Sequence, residues 1–88
     1  MIKREFVENN LIKVLNYLPI YISNKNGNDF YLEITKAHNN KWMIKYVYDN
    51  GVNLFIVKQF DNLIDNLIYT IEQLDKYIPN FANNLIGI

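Results

Sequence analysis

Residues 29–58 constrain the fold most, because they hold three runs rich in aromatic and β-branched residues with turn-forming residues between them. The second interruption contains Asn50-Gly51. This dipeptide between alternating apolar runs is the strongest short-range signal for a β-hairpin, since both central residues of a type I′ turn need a positive φ. The sequence therefore predicts an antiparallel sheet. Neither face of that sheet is polar by sequence, so we expect another element or a partner to cover the second face.

The turn residues also predict how the strands pair. Four strands are expected, at residues 20–23, 29–36, 41–48 and 52–58. The tight turn places Val47 opposite Leu54, and a four-residue loop at 37–40 places Phe30 opposite Val47. The predicted core face then holds Phe30, Leu32, Ile34, Met43, Val47, Leu54 and Ile56, with Lys45 as its only charge. The other side, which we call the predicted aromatic face, holds Tyr31, Trp42, Ile44, Tyr46, Tyr48, Phe55 and Val57, interrupted by Glu33, Thr35 and Asn53.

Amphipathic helices are predicted on both sides of the strands. In residues 2–18 apolar side chains recur at spacings of three and four, and Pro19 ends the helix because proline cannot donate the next hydrogen bond. Residues 60–78 follow the same pattern for about five turns and end before Pro79. The apolar side chains of the last segment, 79–88, are expected to dock on the rest of the chain.

A second line of apolar residues on the first helix, formed by Ile2, Phe6 and Tyr17, lies away from its main stripe. We expect this line to pack on the C-terminal segment, and the alternative is contact with a second molecule. The expected fold class is therefore α+β: an antiparallel three- to four-stranded β-meander flanked by an N-terminal and a C-terminal α-helix, in one domain of residues 1–88.

Four carboxylates follow one edge of the apolar face of the last predicted helix, and we call them the acidic ridge: Asp61, Asp65, Glu72 and Asp75. Acidic residues in a first turn favour the helix dipole, which accounts for Asp61 and Asp65 without a partner. The dipole gives no reason for Glu72 and Asp75 near the other end. The alternative is that the ridge imitates phosphates and enters a basic channel of a partner.

The predicted aromatic face has two interpretations as well. If the two helices pack on opposite sides of the sheet, this face is ordinary core. If they lie together on one side, the face is a surface, and tyrosine and tryptophan in an exposed patch are typical of binding sites. Its candidate partner-binding residues are Tyr31, Trp42, Tyr46, Tyr48 and Phe55, and the same face is a candidate homodimer contact.

Residues that carry chemistry are scarce in this chain. Cysteine is absent, His38 is the only histidine and lies in a predicted turn, and Ser23 is the only serine. A catalytic base needs a partner and a pocket, and a metal site needs several ligands. We therefore expect no enzyme, no cofactor and no metal. The chain also has no apolar run of about 20 residues, so no membrane partner and a cytoplasmic location are expected.

The charges are balanced overall but not along the chain. Residues 1–45 carry seven Lys/Arg against four Asp/Glu, and residues 46–88 carry two against five. Binding of nucleic acid normally uses a clustered basic surface, and this chain has a single arginine with only Lys36, Lys41 and Lys58 near the predicted aromatic face. Direct binding of nucleic acid is therefore less favoured than binding of a protein.

Composition and layout suggest a type of protein. Asn, Ile, Lys and Tyr supply 43 of the 88 residues, a bias of AT-rich codons that indicates a low-GC bacterium or one of its phages or plasmids. In size, lack of motifs, composition and α–β–α layout, the chain resembles small accessory proteins of phages and mobile elements, including anti-CRISPR and other anti-defence inhibitors. The resemblance implies a host effector as the protein partner, with nucleic-acid entry, assembly or activation blocked.

The expected function is accordingly that of a non-enzymatic protein-binding inhibitor or adaptor acting against a host defence effector. A small nucleic-acid-binding module and a structural subunit of a homo-oligomer are the alternatives. The resemblance identifies no functional residue, because such inhibitors share no common motif. The candidate contact residues therefore remain those of the predicted aromatic face and the acidic ridge.

Overall fold

A computed structural model describes residues 2–49 and 51–88. Within them, two helices precede a group of four strands and two helices follow it. In chain order the elements are α1 (Arg4–Asn9), α2 (Leu11–Tyr17), β1 (Tyr21–Ser23), β2 (Asp29–Lys36), β3 (Trp42–Tyr48), β4 (Val52–Asn53), α3 (Leu63–Tyr77) and α4 (Phe81–Ile86). The predicted α+β class, an antiparallel meander with helices at both ends of the chain, is confirmed.

The strands form one antiparallel sheet in the order β1-β2-β3-β4, so each strand pairs with its neighbours in sequence. Both predicted registers around β3 are wrong by one residue. Tyr31 instead of Phe30 lies opposite Val47, because the loop from β2 to β3 spans five residues instead of four. Asn53 instead of Leu54 lies opposite Val47 on the other side.

The turn between β3 and β4 explains the second shift. Tyr48 pairs with Val52, so three residues connect the strands instead of the two of a tight turn. Gly51 has a φ of +91°, which confirms the predicted positive φ, and Asp49 also has a positive φ of +46°. Asn50, the other residue of the predicted turn, lies outside the described residues.

These shifts turn β3 over relative to the prediction, because a slip of one residue exchanges the two faces of a strand. The even-numbered residues of β2 face the core as expected, with Phe30 buried and Leu32 half-buried. In β3 the even-numbered residues face the core too, so Ile44 and Tyr46 are buried. Lys45, predicted on the core face, lies on the opposite face.

The strand predicted at residues 52–58 pairs regularly over only two residues. The Leu54 N–H still donates to the Tyr46 carbonyl at 2.9 Å. The chain then leaves β3 and returns to it at Phe60, whose backbone exchanges hydrogen bonds of 2.7 and 3.0 Å with that of Trp42. Between the pairs at Asn53 and Phe60, six residues lie opposite four of β3. This bulged segment, residues 54–59, breaks the alternation of side chains and turns Phe55 into the core.

The helix boundaries also differ from the predicted ones. Helix α3 begins at Leu63 instead of residue 60, because Asn62 caps it and accepts a hydrogen bond of 3.0 Å from the Asp65 backbone N–H. The predicted N-terminal helix is interrupted at Asn10, which has a φ of −132°. The Asn10 side chain donates to the Phe6 carbonyl at 2.9 Å and so competes with helical hydrogen bonding at the break.

The helices cover one face of the sheet, which we call the inner face, so the second of the two predicted arrangements is the observed one. Helix α3 lies against β3, and α1 and α4 lie against α3. The buried strand residues all belong to this face. Side chains from helices and strands share one apolar core, which includes Val7, Val14, Leu18, Phe30, Ile44, Tyr46, Phe55, Leu67, Ile71, Leu74, Phe81 and Leu85.

The C-terminal segment docks on the N-terminal helices, as predicted. Phe81 and Leu85 of α4 are buried, and the Phe81 ring lies 5.1 Å from the Tyr17 ring of α2. Ile2 is buried as well. No helix in residues 2–49 and 51–88 combines the length and the apolar character that crossing a membrane requires.

Candidate functional site

The second face of the sheet, which we call the outer face, is not covered by any described helix. Alternation along the paired strands assigns to it Tyr21, Ser23, Asp29, Tyr31, Glu33, Thr35, Met43, Lys45, Val47 and Asn53. An antiparallel sheet commonly leaves one face to water, and such a face is then polar. This one carries two tyrosines that are 53% and 54% exposed, at positions 21 and 31. Large exposed aromatic side chains are the feature that needs an explanation.

The two tyrosines form a pair. Tyr21 of β1 lies directly opposite Tyr31 of β2, and their ring centroids are 5.8 Å apart with the planes inclined by 38°. This spacing is typical of favourable aromatic contacts. Each ring restricts the other, so the pair presents an ordered aromatic surface and loses little side-chain entropy on binding.

Charged side chains surround this pair. Asp29 and Glu33 lie two residues to either side of Tyr31 on the same face of β2. The Ser23 hydroxyl donates a hydrogen bond to the Asp29 carboxylate. Lys45 lies directly opposite Glu33, with 4.0 Å between its Nζ and the Glu33 Oε1. Two carboxylates against one ammonium make the surroundings of the tyrosine pair negative.

The far end of the outer face is closed by the bulged segment. The Gln59 side chain contacts Met43, with its Nε2 3.8 Å from the Met43 sulfur, and accepts a hydrogen bond of 2.9 Å from Asn39. The Thr35 hydroxyl is buried there without a hydrogen-bond partner among the described residues. The open part of the outer face is therefore the half that contains the tyrosine pair.

The predicted aromatic face is wrong as a grouping. Among its aromatic residues only Tyr31 lies on the outer face, and Trp42, Tyr46 and Tyr48 lie on the inner face. Tyr46 and Phe55 are buried with ring centroids 6.2 Å apart. The physical reason is the extra residue in each connection of β3, which reverses the faces of that strand.

Tyr46 is a structural residue. Its side chain is wholly buried, and its hydroxyl donates a hydrogen bond of 2.8 Å to the Pro19 carbonyl, which links β3 to the segment before β1. Burial raises the pKa of the Tyr46 phenol above its usual range, because the charged form would lose its hydration. The neutral hydroxyl is the form that the fold uses.

Tyr21 was missing from the predicted site. The sequence places it in a strand, but the pattern predicts no register for residues 20–23 and therefore no face for Tyr21. The signal was the asparagine-rich turn at residues 24–28, whose length pairs Ser23 with Asp29 and therefore Tyr21 with Tyr31. In the turn the Asn24 side chain accepts hydrogen bonds from the backbone N–H groups of Asn26 and Asn28.

The acidic ridge is not a continuous row on one helix. Asp61 precedes α3 and lies 3.4 Å from the Lys41 ammonium, so its predicted place in the helix is wrong. Asp65 binds the Arg4 guanidinium of α1. Both ion pairs join the basic half of the sequence to the acidic half. The asymmetry of charge along the chain is thus partly compensated within the fold.

Asp75 has a local structural role. Its Oδ1 accepts a hydrogen bond of 3.0 Å from the Ala82 backbone N–H in the first turn of α4, where the Asn80 side chain makes no cap. A carboxylate on a free N–H group stabilises a helix start. This contact explains the carboxylate at position 75, for which the dipole of α3 gives no reason. Glu72 is the ridge member for which the described residues provide no ion pair or hydrogen bond.

Two lysines that were candidates for nucleic-acid contacts lie over aromatic rings. The Lys36 ammonium is 5.1 Å from the centroid of the Trp42 ring, and the Lys58 ammonium is 4.9 Å from that of Tyr69. Cations at such distances are attracted to the ring face. Lys41 pairs with Asp61, so each of the three lysines near the predicted aromatic face makes a contact within the chain.

The remaining candidates for chemistry are dispersed. His38 is exposed in the loop between β2 and β3, and the Ser23 hydroxyl is bonded to Asp29. Within residues 2–49 and 51–88, no group of three or more His, Asp or Glu side chains is placed to hold a metal ion.

Comparisons with protein-family models, with curated proteins and with solved structures found no match to this chain, so the candidate site is defined by the geometry of the outer face alone.

Proposed function

We propose that the protein is a non-enzymatic inhibitor or adaptor that docks on a partner protein through the open half of its outer face. The observation that supports this is the Tyr21–Tyr31 pair, half-exposed and ordered by mutual contact on a sheet face without a covering helix. Tyrosine is among the residue types that contribute most to protein interfaces, because it combines a large apolar surface with a polar hydroxyl.

The β1 edge of the sheet carries a further exposed apolar side chain, which alternation along the strand places on the side of the inner face. Ile20, which precedes β1, is 77% exposed, and its carbonyl pairs with the Leu32 N–H so that its position is fixed by the sheet. A stable interface covers about 800 Å² on each partner. The partner would therefore cover the tyrosine pair and extend across the β1 edge.

A protein partner is favoured over nucleic acid by the charges around the tyrosines. Aromatic side chains on an open sheet can stack on single-stranded bases, but that mode requires cations nearby for the phosphates. Here Asp29 and Glu33 flank Tyr31, and the one lysine of this half, Lys45, faces Glu33. Phosphates would be repelled from this surface, whereas cationic groups of a protein would be attracted.

The resemblance in type to anti-CRISPR and other anti-defence proteins makes a host defence effector the first partner to test. Such an effector has a basic surface for its own nucleic acid, and the negative surroundings of the tyrosine pair suit it. In this proposal the sheet face covers a nucleic-acid or assembly site of the partner. Self-association through the same face is the competing outcome.

The test uses a double variant, Tyr21→Ala/Tyr31→Ala. Wild-type protein would be immobilised to capture its partner from a lysate of the natural host, and the purified partner would then be titrated against each variant. We expect the double variant to bind at least about tenfold more weakly, because the loss of two central aromatic contacts commonly costs that much.

The matched control is Ile12→Ala, which removes an apolar side chain that is 73% exposed on α2 and is not part of the sheet. It should bind like the wild type. Full binding by the double variant would overturn the proposal. Binding of single-stranded or duplex nucleic acid by the wild-type protein at physiological salt would also overturn it. Sedimentation velocity would reveal self-association through the face.

A further inference from the structure

A separate cavity of about 320 Å³ opens at the end of the inner face, on the other side of the sheet from the tyrosine pair. Its apolar wall is formed by Ile22 of β1, Leu54 of the bulged segment and Tyr77 of α3, and two lysines, Lys25 and Lys76, are among the residues that line it. This volume is at the lower end of the range for pockets that bind small ligands, and such pockets are mostly apolar with a few polar groups.

The cavity has fixed walls. The Tyr77 hydroxyl donates a hydrogen bond of 2.8 Å to the Leu54 carbonyl, which ties the last turn of α3 to the bulged segment. Ile22 pairs with Phe30, so its side chain lies on the inner face beside the core. An apolar guest would therefore contact a preformed surface and would not need to open the fold.

The turn that carries Lys25 is also well ordered. The Asn24 N–H donates to the Asn28 carbonyl, and the Gly27 N–H donates to the Asn24 carbonyl, each at 3.0 Å. Gly27 has the positive φ of +80° that this turn requires. The turn thus holds Lys25 at the cavity, although residues 24–28 are mostly exposed.

The charges at the cavity are of one sign. Neither lysine forms an ion pair with a described residue, and the Lys76 ammonium makes only a long contact of 3.4 Å to the Gln73 side chain. No carboxylate is among the described residues that line the cavity. The C-terminal end of α3 carries partial negative charge, and Lys76 in its last turn offsets that charge. The helix dipole gives no reason for Lys25.

We propose that this cavity binds an aliphatic carboxylate, with the apolar chain against Ile22, Leu54 and Tyr77 and the carboxylate between Lys25 and Lys76. The chemistry fits a free short-chain carboxylate and equally the carboxyl terminus of a peptide that ends in an apolar residue. This site does not depend on the proposed function, because it lies on the opposite side of the sheet.

The test is a titration of isotope-labelled protein followed by the amide resonances of the cavity residues. The probes are hexanoate and N-acetyl-leucine, each compared with its uncharged counterpart, hexanol and N-acetyl-leucinamide. We expect both carboxylates to shift the resonances of Ile22, Leu54 and Tyr77, and to bind about tenfold more tightly than the uncharged molecules, since two nearby ammonium groups stabilise the anion. The tighter of the two carboxylates identifies the source.

A double variant, Lys25→Gln/Lys76→Gln, should reduce the affinity for each carboxylate to that of its uncharged counterpart. Lys3→Gln, which removes an exposed lysine outside the cavity, should leave the affinity unchanged. Equal binding of charged and uncharged probes, shifts confined to another part of the protein, or no saturable shift at millimolar probe would each overturn the proposal. The variant Tyr21→Ala/Tyr31→Ala should keep this binding, so the two proposals fail independently.

Discussion

The inner and outer faces of the sheet carry the same residue type in opposite roles. Tyr46 on the inner face is wholly buried, and its hydroxyl is bonded to a backbone carbonyl. Tyr31, on the neighbouring strand, is 54% exposed, and its ring contacts only another exposed tyrosine among the aromatic residues described. Register alone decides which of them belongs to the core. Residue type alone therefore does not separate the aromatic residues that stabilise the fold from those available to a partner.

The two faces should therefore separate stability from binding. Side chains of the inner face contribute buried apolar area and hydrogen bonds in a dry environment, where truncation leaves a cavity. Side chains of the outer face are solvated in the free protein, so their removal should affect a complex more than the fold.

The largest effect is expected for Tyr46→Ala. The substitution empties a fully buried site and removes the hydrogen bond to Pro19, so it should lower the free energy of unfolding by about 3–5 kcal/mol. Chemical denaturation followed by circular dichroism measures the change. Tyr31→Ala is the matched control on the outer face and should cost about 0.5 kcal/mol or less. Equal costs for the two tyrosines would contradict the assignment of faces.

Much of the fold could be predicted from sequence because its signals are local. The meander, the helices near both termini, the docking of the C-terminal segment and the core-facing residues of β2 all follow from periodicity and turn residues. The faces of β3 cannot be predicted in this way, because they depend on the lengths of the two loops beside it. The residue composition of a loop does not determine its length to within one residue. Lys45 was the available warning, because its predicted position put an unpaired charge into the core.

The site could be predicted less well, because it depends on contacts between distant parts of the chain. The partners of Asp65 and Asp75, which are Arg4 and the Ala82 N–H, become visible only when the helices are packed. Phe55 enters the core through a bulge that breaks the alternation of its strand. Pattern analysis assumes regular strands and unpaired surface charges, and both assumptions fail at these positions.

A second prediction concerns a polar group on the buried side of α3. Asn66 is wholly buried, and neither atom of its amide has a hydrogen-bond partner within the described residues. An unsatisfied buried amide costs stability, so Asn66→Leu should raise the free energy of unfolding by about 1–3 kcal/mol. Thr70→Val is the control, because its hydroxyl donates to the Asn66 carbonyl at 2.8 Å and its loss should lower stability by about 1 kcal/mol. Destabilisation by Asn66→Leu would show that the amide is satisfied in solution.

A third prediction tests the turn that sets which face of β3 is buried. Gly51 has a φ of +91°, and no heavy atom of the described residues beyond its chain neighbours lies within 4 Å of the place that a Cβ would occupy. The cost of Gly51→Val is therefore backbone strain without a steric clash, and the free energy of unfolding should fall by about 1–2 kcal/mol in chemical denaturation. Gly51→Asn should cost less, since asparagine tolerates a positive φ. If valine and asparagine were equally tolerated, the turn would not have the conformation described, and the register of β4 would need revision.

The smallest effect is expected for the ion pair of the outer face. Glu33 and Lys45 lie opposite each other at 4.0 Å, and their side chains are 52% and 28% exposed. A double-mutant cycle with Glu33→Gln and Lys45→Gln should give a coupling free energy of about 0.2–1 kcal/mol that decreases as salt rises, because water screens exposed charges. Measured again in the presence of the captured partner, the coupling should grow if the complex excludes water from this face. A strong coupling in the free protein that salt does not weaken would mean that the outer face is already covered, which self-association would explain and a solvated sheet face would not.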